Sequence, residues 1–507
     1  MRGVRFVLLL LVLPAGVAAQ TTTDDPLAGL DAYVRQAVHD WEVPGLAVAV
    51  VKDDSVVFAR GYGLRALGGT DPVDVHTLFA NASTTKAFTA MAIAMLVDEG
   101  KLEWNDRVAD HVTGYLLPEA YPSHELTIRD LLTHRVGFGD PGYLWYGVDI
   151  DFPEIVDRLR FIESASSFRS RFAYNNVAYA TAGIIAGRAA DTSWDALVRE
   201  RILEPLGMTE TVTQGVFLEG RENVAAIHDE IDDTLQLISG TGVGLVDPIA
   251  PAGSMYSNVM DMTRWLRFLL NGGEWGDERL VGEDAFAELF RPQVVIPVDQ
   301  FYPTAELTRP RFTAYGLGWF LQDYRGAFVA FHTGSIDGTV AIVGLLPDHE
   351  LGVVVFANRD HAELRHALML RVFDLYLGDP VRDWSVELQE LYDSRAAEAR
   401  EREEERRQAR VPDTEPSHDL AAYTGIYAHP AFGSVEVRLE DDALVLDRSP
   451  FLIADLTHWH YDVFQTRWRN RWIGEGLVTF NTGTDGEIVA LKWLGFELRR
   501  QPEPDPP

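Results

Sequence analysis

Residues 81–100 read NASTTKAFTAMAIAMLVDEG. Phe88, Met91, Ala92, Met95 and Leu96 fall at i, i+3, i+4, i+7 and i+8, the spacing of a helix with one buried face, and Gly100 ends it. Ser83 stands at the start of that helix and Lys86 one turn on, away from the apolar stripe. The chain has 44 basic residues, of which only Lys52, Lys86, Lys101 and Lys492 are lysines. Arginine keeps its proton above pH ~12 and cannot act as a base, whereas a desolvated lysine amine can lose its own. A helix N-terminus adds free N–H groups and the positive end of a dipole. Hydroxyl, amine and anion-stabilising backbone together are what an acyl-transfer nucleophile requires. Standing alone, Ser-x-x-Lys fits equally well a capping serine beside a surface lysine.

The rest of the chain falls into recognisable parts. Leu46 to Val51 and Ser55 to Tyr62 are β-branched runs joined by Lys52-Asp53-Asp54, a hairpin signal. Ala327 to His332, Thr339 to Leu346 and Leu351 to Asn358 give three more strands with short turns. Between the two groups helical periodicity dominates. The expected fold class is therefore α/β, an α+β sandwich with one antiparallel sheet built from both ends of a unit at 25–380 and a helical region inserted in it. Helices near Leu27–Trp41 and His361–Leu377 should cover the sheet. Residues 381–417 read as a solvated, charged connecting helix and linker. From 418 to 502 the pattern is all-β, with alternation around Asp441-Asp442 and again around Gly483–Gly486, as in a small antiparallel sheet or barrel.

Two further motifs stand out. Tyr174-Asn175-Asn176 precedes an apolar helical run. A tyrosine close to Lys86 is expected to have its pKa lowered and to carry protons, and Asn176 to hold a substrate amide. His332-Thr333-Gly334-Ser335 closes one strand before the next. Gly334 permits close backbone approach, and the Ser335 N–H could meet a substrate carbonyl. Each motif also has a plain structural reading, a packed aromatic with an Asn cap and a strand-end histidine.

In this order the three motifs resemble the serine β-lactamase and penicillin-binding-protein superfamily, and the tyrosine places the chain nearest the class C β-lactamase and D,D-carboxypeptidase branch. Leu126 to His134, Ile202 to Met208 and Pro251 to Ser257 are similar to that family as well. The tail, with Tyr423 to Tyr427 and His458 to Asp462, is similar to a lipocalin-like domain found after such hydrolases. The resemblance implies that Ser83 forms an acyl-enzyme and that Lys86 and Tyr174 form its coupled base. Tyr174 would then protonate the leaving group and activate the deacylating water. Asn176 would position substrate, and the N–H groups of Ser83 and Ser335 would form an oxyanion hole beside Thr333 and Gly334. His332 stands where β-lactamases carry the lysine of Lys-Thr-Gly, which points to D,D-peptidase or esterase chemistry over efficient β-lactam hydrolysis. The readings to separate are a serine hydrolase of esters, amides or D-amino-acid peptides, a β-lactamase, and an inactive sensor. Tyr143, Trp145 and Tyr146 form a candidate aromatic cleft wall.

Charge and composition narrow the partners. A net charge of −33 repels nucleic acid and anionic membranes. Arg2 and Arg5, an apolar run from Phe6 to Leu13 and the small residues Val17-Ala18-Ala19 read as a secretory signal cleaved after Ala19, so a periplasmic or extracellular protein with no membrane span is expected. There is no cysteine. His458 and His460 have metal-like spacing without an evident third ligand, so no metal and no organic cofactor is expected. The expected partner is a small-molecule or peptide substrate, with homo-oligomers left open. The C-terminal domain has three candidate roles: binding an apolar ligand, mediating oligomers, or covering the cleft.

Overall fold

A computed structural model describes residues 25–238, 244–378 and 380–502. The reading of 1–19 as a signal lies outside the described residues. Eight strands form the main sheet: β1 Gly45–Lys52, β2 Ser55–Gly63, β3 Val294–Val295, β4 Thr313–Tyr315, β5 Phe320–Tyr324, β6 Ala327–Ile336, β7 Thr339–Leu346 and β8 Leu351–Ala357. Their order is β2-β1-β8-β7-β6-β5-β4-β3, all neighbours antiparallel. Strands from the two ends of the unit thus meet at the centre, where Leu46 pairs with Ala357.

The central strands are buried along their whole length because helices cover both faces. Two glycines identify those helices. A Cβ on Gly344 would run into Met369 and Phe373 of α5 (Leu364–Leu377), and one on Gly352 would meet Leu266 of α4 (Val259–Leu270). Val353 pairs with Gly344 and follows Gly352, so the two glycines face opposite sides. α1 (Leu30–Asp40) packs beside α5.

The inserted region holds α2 (Thr85–Asp98) and α3 (Asn176–Ala189) side by side. The sequence pattern implied one buried face for α2. The structure buries every residue from Thr85 to Leu96, so this helix is enclosed on all sides. Its polar groups are satisfied inside: Thr89 Oγ1 donates to Pro251 O at 2.7 Å and accepts from Trp194 Nε1 at 3.0 Å.

α6 (Trp384–Gln408) is solvated for most of its length, but its first turn is anchored. The Trp384 indole N–H donates to Asp374 Oδ2 at 2.8 Å, and the Trp41 indole donates to Ser385 Oγ at 3.0 Å. Beyond α6, eight strands close into a barrel in simple sequence order: β9 Gly425–His429, β10 Gly433–Glu440, β11 Ala443–Asp447, β12 Ile453–His460, β13 Val463–Trp468, β14 Glu475–Thr482, β15 Ile488–Trp493 and β16 Phe496–Arg500. This is the architecture expected of a lipocalin-like domain. His458 Nε2 meets Tyr461 O at 2.9 Å, and His460 Nδ1 accepts from the Val411 N–H at 3.2 Å, so both rings have local structural partners. Among the described residues no helix is long and apolar enough to cross a membrane.

Candidate active site

Ser83 lies in a short 3-10 turn, Ala82–Thr84, immediately before α2. Ala82 takes φ +46°, a left-handed conformation that alanine adopts only when its surroundings demand it. The demand comes from β6. Its ladder with β5 ends at the Phe320–Phe331 pair, and the segment beyond, which contains His332 to Ser335, packs against the Ser83 turn. A Cβ on Gly334 would lie 2.2 Å from Asn81 O and 3.0 Å from Ser83 N. Only glycine lets the strand run this close.

Lys86 is fully buried. Its Nζ lies 3.0 Å from Ser83 Oγ, 2.7 Å from Asn176 Oδ1 and 2.7 Å from Ala252 O. Burial lowers its pKa to about 7, opposed by the attraction of the Asp140 carboxylate. A neutral amine has two N–H bonds and one lone pair. The two carbonyl oxygens can only accept, so they take the two N–H bonds, and the lone pair is left facing the Ser83 hydroxyl.

Tyr174 lies beside Ser83 in the same cavity lining, with its ring centroid 4.8 Å from Lys86 Nζ. Here the structure reverses an expectation. Burial holds the Tyr174 pKa well above 10, against a smaller lowering effect of Ser83. The phenol stays protonated, and the amine is the group poised to accept a proton near neutrality.

His332 is also uncharged. Burial, and secondarily the charge of Lys86, pushes its pKa down to about 3. Nδ1 lies 2.6 Å from Thr333 O and Nε2 lies 2.9 Å from the Tyr315 hydroxyl. A carbonyl only accepts, so Nδ1 carries the proton and Nε2 accepts from Tyr315. This imidazole offers no fixed positive charge to a substrate carboxylate. Thr333 Oγ1 lies 2.6 Å from the Tyr302 hydroxyl, and Ser335 Oγ accepts from Arg365 Nη1 at 2.9 Å.

Two supporting residues stand outside the three motifs: Asp140, which carries no local sequence signal, and His134, which ends the Leu126–His134 stretch. Asp140 accepts from Asn176 N at 2.8 Å and from Asn176 Nδ2 at 3.0 Å, which turns Asn176 Oδ1 toward Lys86. His134 stacks on Tyr174 at 4.3 Å between centroids, and its Nδ1 accepts from the Asn175 N–H at 2.9 Å. Burial keeps this ring neutral, and the stack fixes the plane of the phenol.

A cavity of about 410 Å³ opens over Ser83, with Tyr174, Asn176, Thr333 and Ser335 in its lining. Its aromatic wall is Phe172, Phe301, Tyr302 and Phe320. Tyr143 and Tyr146 instead line a second cavity, of about 580 Å³, between the 140–146 loop and the barrel. Tyr143 stacks on Phe432 of the barrel at 5.7 Å, and Trp145 is buried beside Tyr146. An aromatic wall exists beside Ser83, therefore, but it is built from residues scattered between positions 172 and 320.

The chain is similar to known proteins along most of its length. A family model described as Beta-lactamase matches residues 30–375, and one described as a domain of unknown function matches 409–505. The unguisins hydrolase ungD of Aspergillus violaceofuscus (strain CBS 115571) is 28% identical over 462 residues, which cover 83% of this chain and 78% of that protein. The octameric penicillin-binding protein homologue from Pyrococcus abyssi shares the fold with a TM-score of 0.61 and 21% identity, covering 93% of this chain and 99% of its own. A class C β-lactamase from Rhodobacter sphaeroides superposes with a TM-score of 0.54 and 20% identity over 69% of this chain and 99% of its own. With the family model spanning most of its length, the chain belongs to the beta-lactamase family, the fold family of the serine β-lactamases and penicillin-binding proteins.

Proposed function

We propose that this protein is an exported serine hydrolase that cleaves an ester or amide through a Ser83 acyl-enzyme. The observation that carries the reading is the saturation of Lys86 by two acceptors, which leaves its lone pair directed at Ser83 Oγ. In this reading Lys86 takes the Ser83 proton as the hydroxyl attacks the carbonyl carbon. Tyr174, still protonated, relays a proton to the leaving oxygen or nitrogen, and then assists the water that releases the acyl group. The N–H groups of Ser83 and Ser335 receive the developing oxyanion, and Asn176 holds substrate. The unit at 25–380 carries this chemistry, with 381–417 as connector and 418–502 as the barrel domain.

The substrate favoured is apolar next to the reacting carbonyl, because the lining of the Ser83 cavity includes five aromatic rings and no charged side chain. Peptides, including D-amino-acid peptides, fall within that class, and the relative named as an unguisins hydrolase is in keeping with it. Efficient β-lactam turnover is disfavoured by the neutral His332 and by Arg365, whose charge is paired with Glu363 at 3.1 Å.

Intact mass measured after exposure to a penicillin and, separately, to a fluorophosphonate tests the reading. Wild type should gain a fluorophosphonate adduct and Ser83→Ala should not. Absence of any adduct on wild type would favour the inactive-sensor alternative. A penicillin adduct on wild type would add D-peptide-type recognition to the assignment.

A pH profile follows from the lowered lysine pKa. Below about 7 the amine is protonated and holds no lone pair for Ser83; above it the base is free. The kcat/KM for a neutral ester should rise with pH through about 7 and then level off. A flat profile from pH 5 to 9 (roughly two units either side) would remove Lys86 from the role of base.

A further inference from the structure

Two loops at one rim of the barrel reach two segments that support the Ser83 site: 140–148, whose Asp140 holds Asn176, and the turn after β6, next to Ser335. The loop between β11 and β12 grips the 140–148 segment. Arg448 Nη2 donates to Tyr143 O at 2.5 Å, and Ser449 Oγ donates to Gly147 O at 2.6 Å. Gly147 takes φ +63°, and a Cβ there would enter the Phe451 ring at 2.3 Å. This same segment carries Asp140, which aims Asn176 at Lys86. The loop between β13 and β14 reaches the second segment. Trp472 Nε1 donates to Asp337 Oδ2 at 3.1 Å, and Asp337 lies in the turn that follows β6, two residues past Ser335. Tyr146, from the first segment, donates its hydroxyl to the same Asp337 oxygen. One carboxylate therefore joins the strand of Ser335, the segment of Asp140 and the barrel.

We infer that Asp337 is a positioning residue through which the C-terminal barrel sets the spacing between the Asp140 segment and the strand of Ser335. The physical basis is that Ser83 chemistry needs the Ser335 N–H and the Asn176 amide held at once, and the Tyr146–Asp337 bond ties the segment that orients the amide to the turn that follows Ser335. An error of about 1 Å in such positioning costs on the order of a hundredfold in rate. The loss should fall on kcat more than on KM, because the oxyanion contact strengthens as charge develops. The catalytic readout of this inference rests on the hydrolase reading given above; its structural readout does not.

The test uses the full chain with Asp337→Ala, Asp337→Asn and Trp472→Phe. Asparagine keeps an acceptor oxygen for both donors, and phenylalanine keeps the ring while deleting the N–H. Amide hydrogen exchange of Asp337→Ala should rise at least about fivefold in both 140–148 and 333–340, with the barrel strands unchanged. For an apolar p-nitrophenyl ester, Asp337→Ala and Trp472→Phe should lose roughly tenfold in kcat, and Asp337→Asn should recover most of it. Exchange that rises in 333–340 alone overturns the inference, whether or not wild type turns over the ester. So does an active wild type whose kcat Asp337→Ala leaves unchanged. A wild type without esterase activity or fluorophosphonate labelling would sink the hydrolase reading instead, and the exchange result would still decide the coupling.

Discussion

Arginine in place of Lys86 is expected to lower kcat for ester hydrolysis by roughly three orders of magnitude while the protein stays folded. The substitution keeps a positive charge and removes the only property that matters at this position. Guanidinium has five N–H donors, no lone pair, and a proton it does not release in a protein. The three atoms around Lys86 Nζ are Ser83 Oγ, Asn176 Oδ1 and Ala252 O, so an arginine would saturate all of them as a donor and leave nothing to accept the serine proton. Steady-state kinetics at pH 8 (about one unit above the lysine pKa, where the wild-type amine is free) gives the cleanest comparison, with circular dichroism reporting the fold. A kcat equal to that of wild type would mean that proton abstraction does not depend on this amine.

Gly334→Ala is expected to have an effect nearly as large, on the order of a hundredfold or more in kcat, from one methyl group. The added Cβ has nowhere to go. It would sit 2.2 Å from Asn81 O and 2.9 Å from the Ala82 side chain, which is itself held in a left-handed conformation. Both obstacles belong to the turn that presents Ser83, and neither is the end of a flexible chain. The strand must move away from the turn, and Ser83 N and Ser335 N separate with it. Fluorophosphonate labelling should slow in parallel with turnover, because that reagent also needs the oxyanion contacts. Labelling at the wild-type rate, with melting temperature preserved, would show that the close approach of β6 to the Ser83 turn has no catalytic consequence.

The sequence made the sheet legible where its signal is strongest. Strands β1, β2, β6, β7 and β8 are long β-branched runs with short turns, and they fall close to where the pattern puts them. Strands β3 and β4 are two and three residues long, too short to carry a period. The charges of 386–410 dominate the window and point to a solvated helix, whereas Trp384, Ser385 and Leu388 bury the start of α6.

The site divides along the same line. Ser83, Lys86, Tyr174, Asn176 and the 332–335 segment sit in compact motifs, and the fold brings them together. Phe172, Phe301, Tyr302 and Phe320 share a wall only after folding, so no window of sequence contains it. Asp140 and His134 act through Asn176 and Tyr174 and show no chemistry of their own in the chain. The proton affinity of Tyr174 departs from what proximity alone implies for a related reason. Proximity to a lysine lowers a phenol only while the lysine is charged and the phenol retains solvent, and burial removes both conditions.

The pairing of β1 with β8 also bears on how the molecule comes into being. A chain that emerges from its N-terminus presents β1 and β2 early as a bare hairpin, with the inner edge of β1 unpaired until almost the whole hydrolase unit has followed. Such an apolar edge is a template for stray association during that interval. Non-local pairing of this kind slows the final step of assembly. The barrel has the opposite character: apart from the closing contact of β9 with β16, each strand finds its neighbour next along the chain. Assembly is therefore expected to be staged, with the C-terminal part quick to organise and the large sheet dependent on a long-range closure that protection by a chaperone would favour.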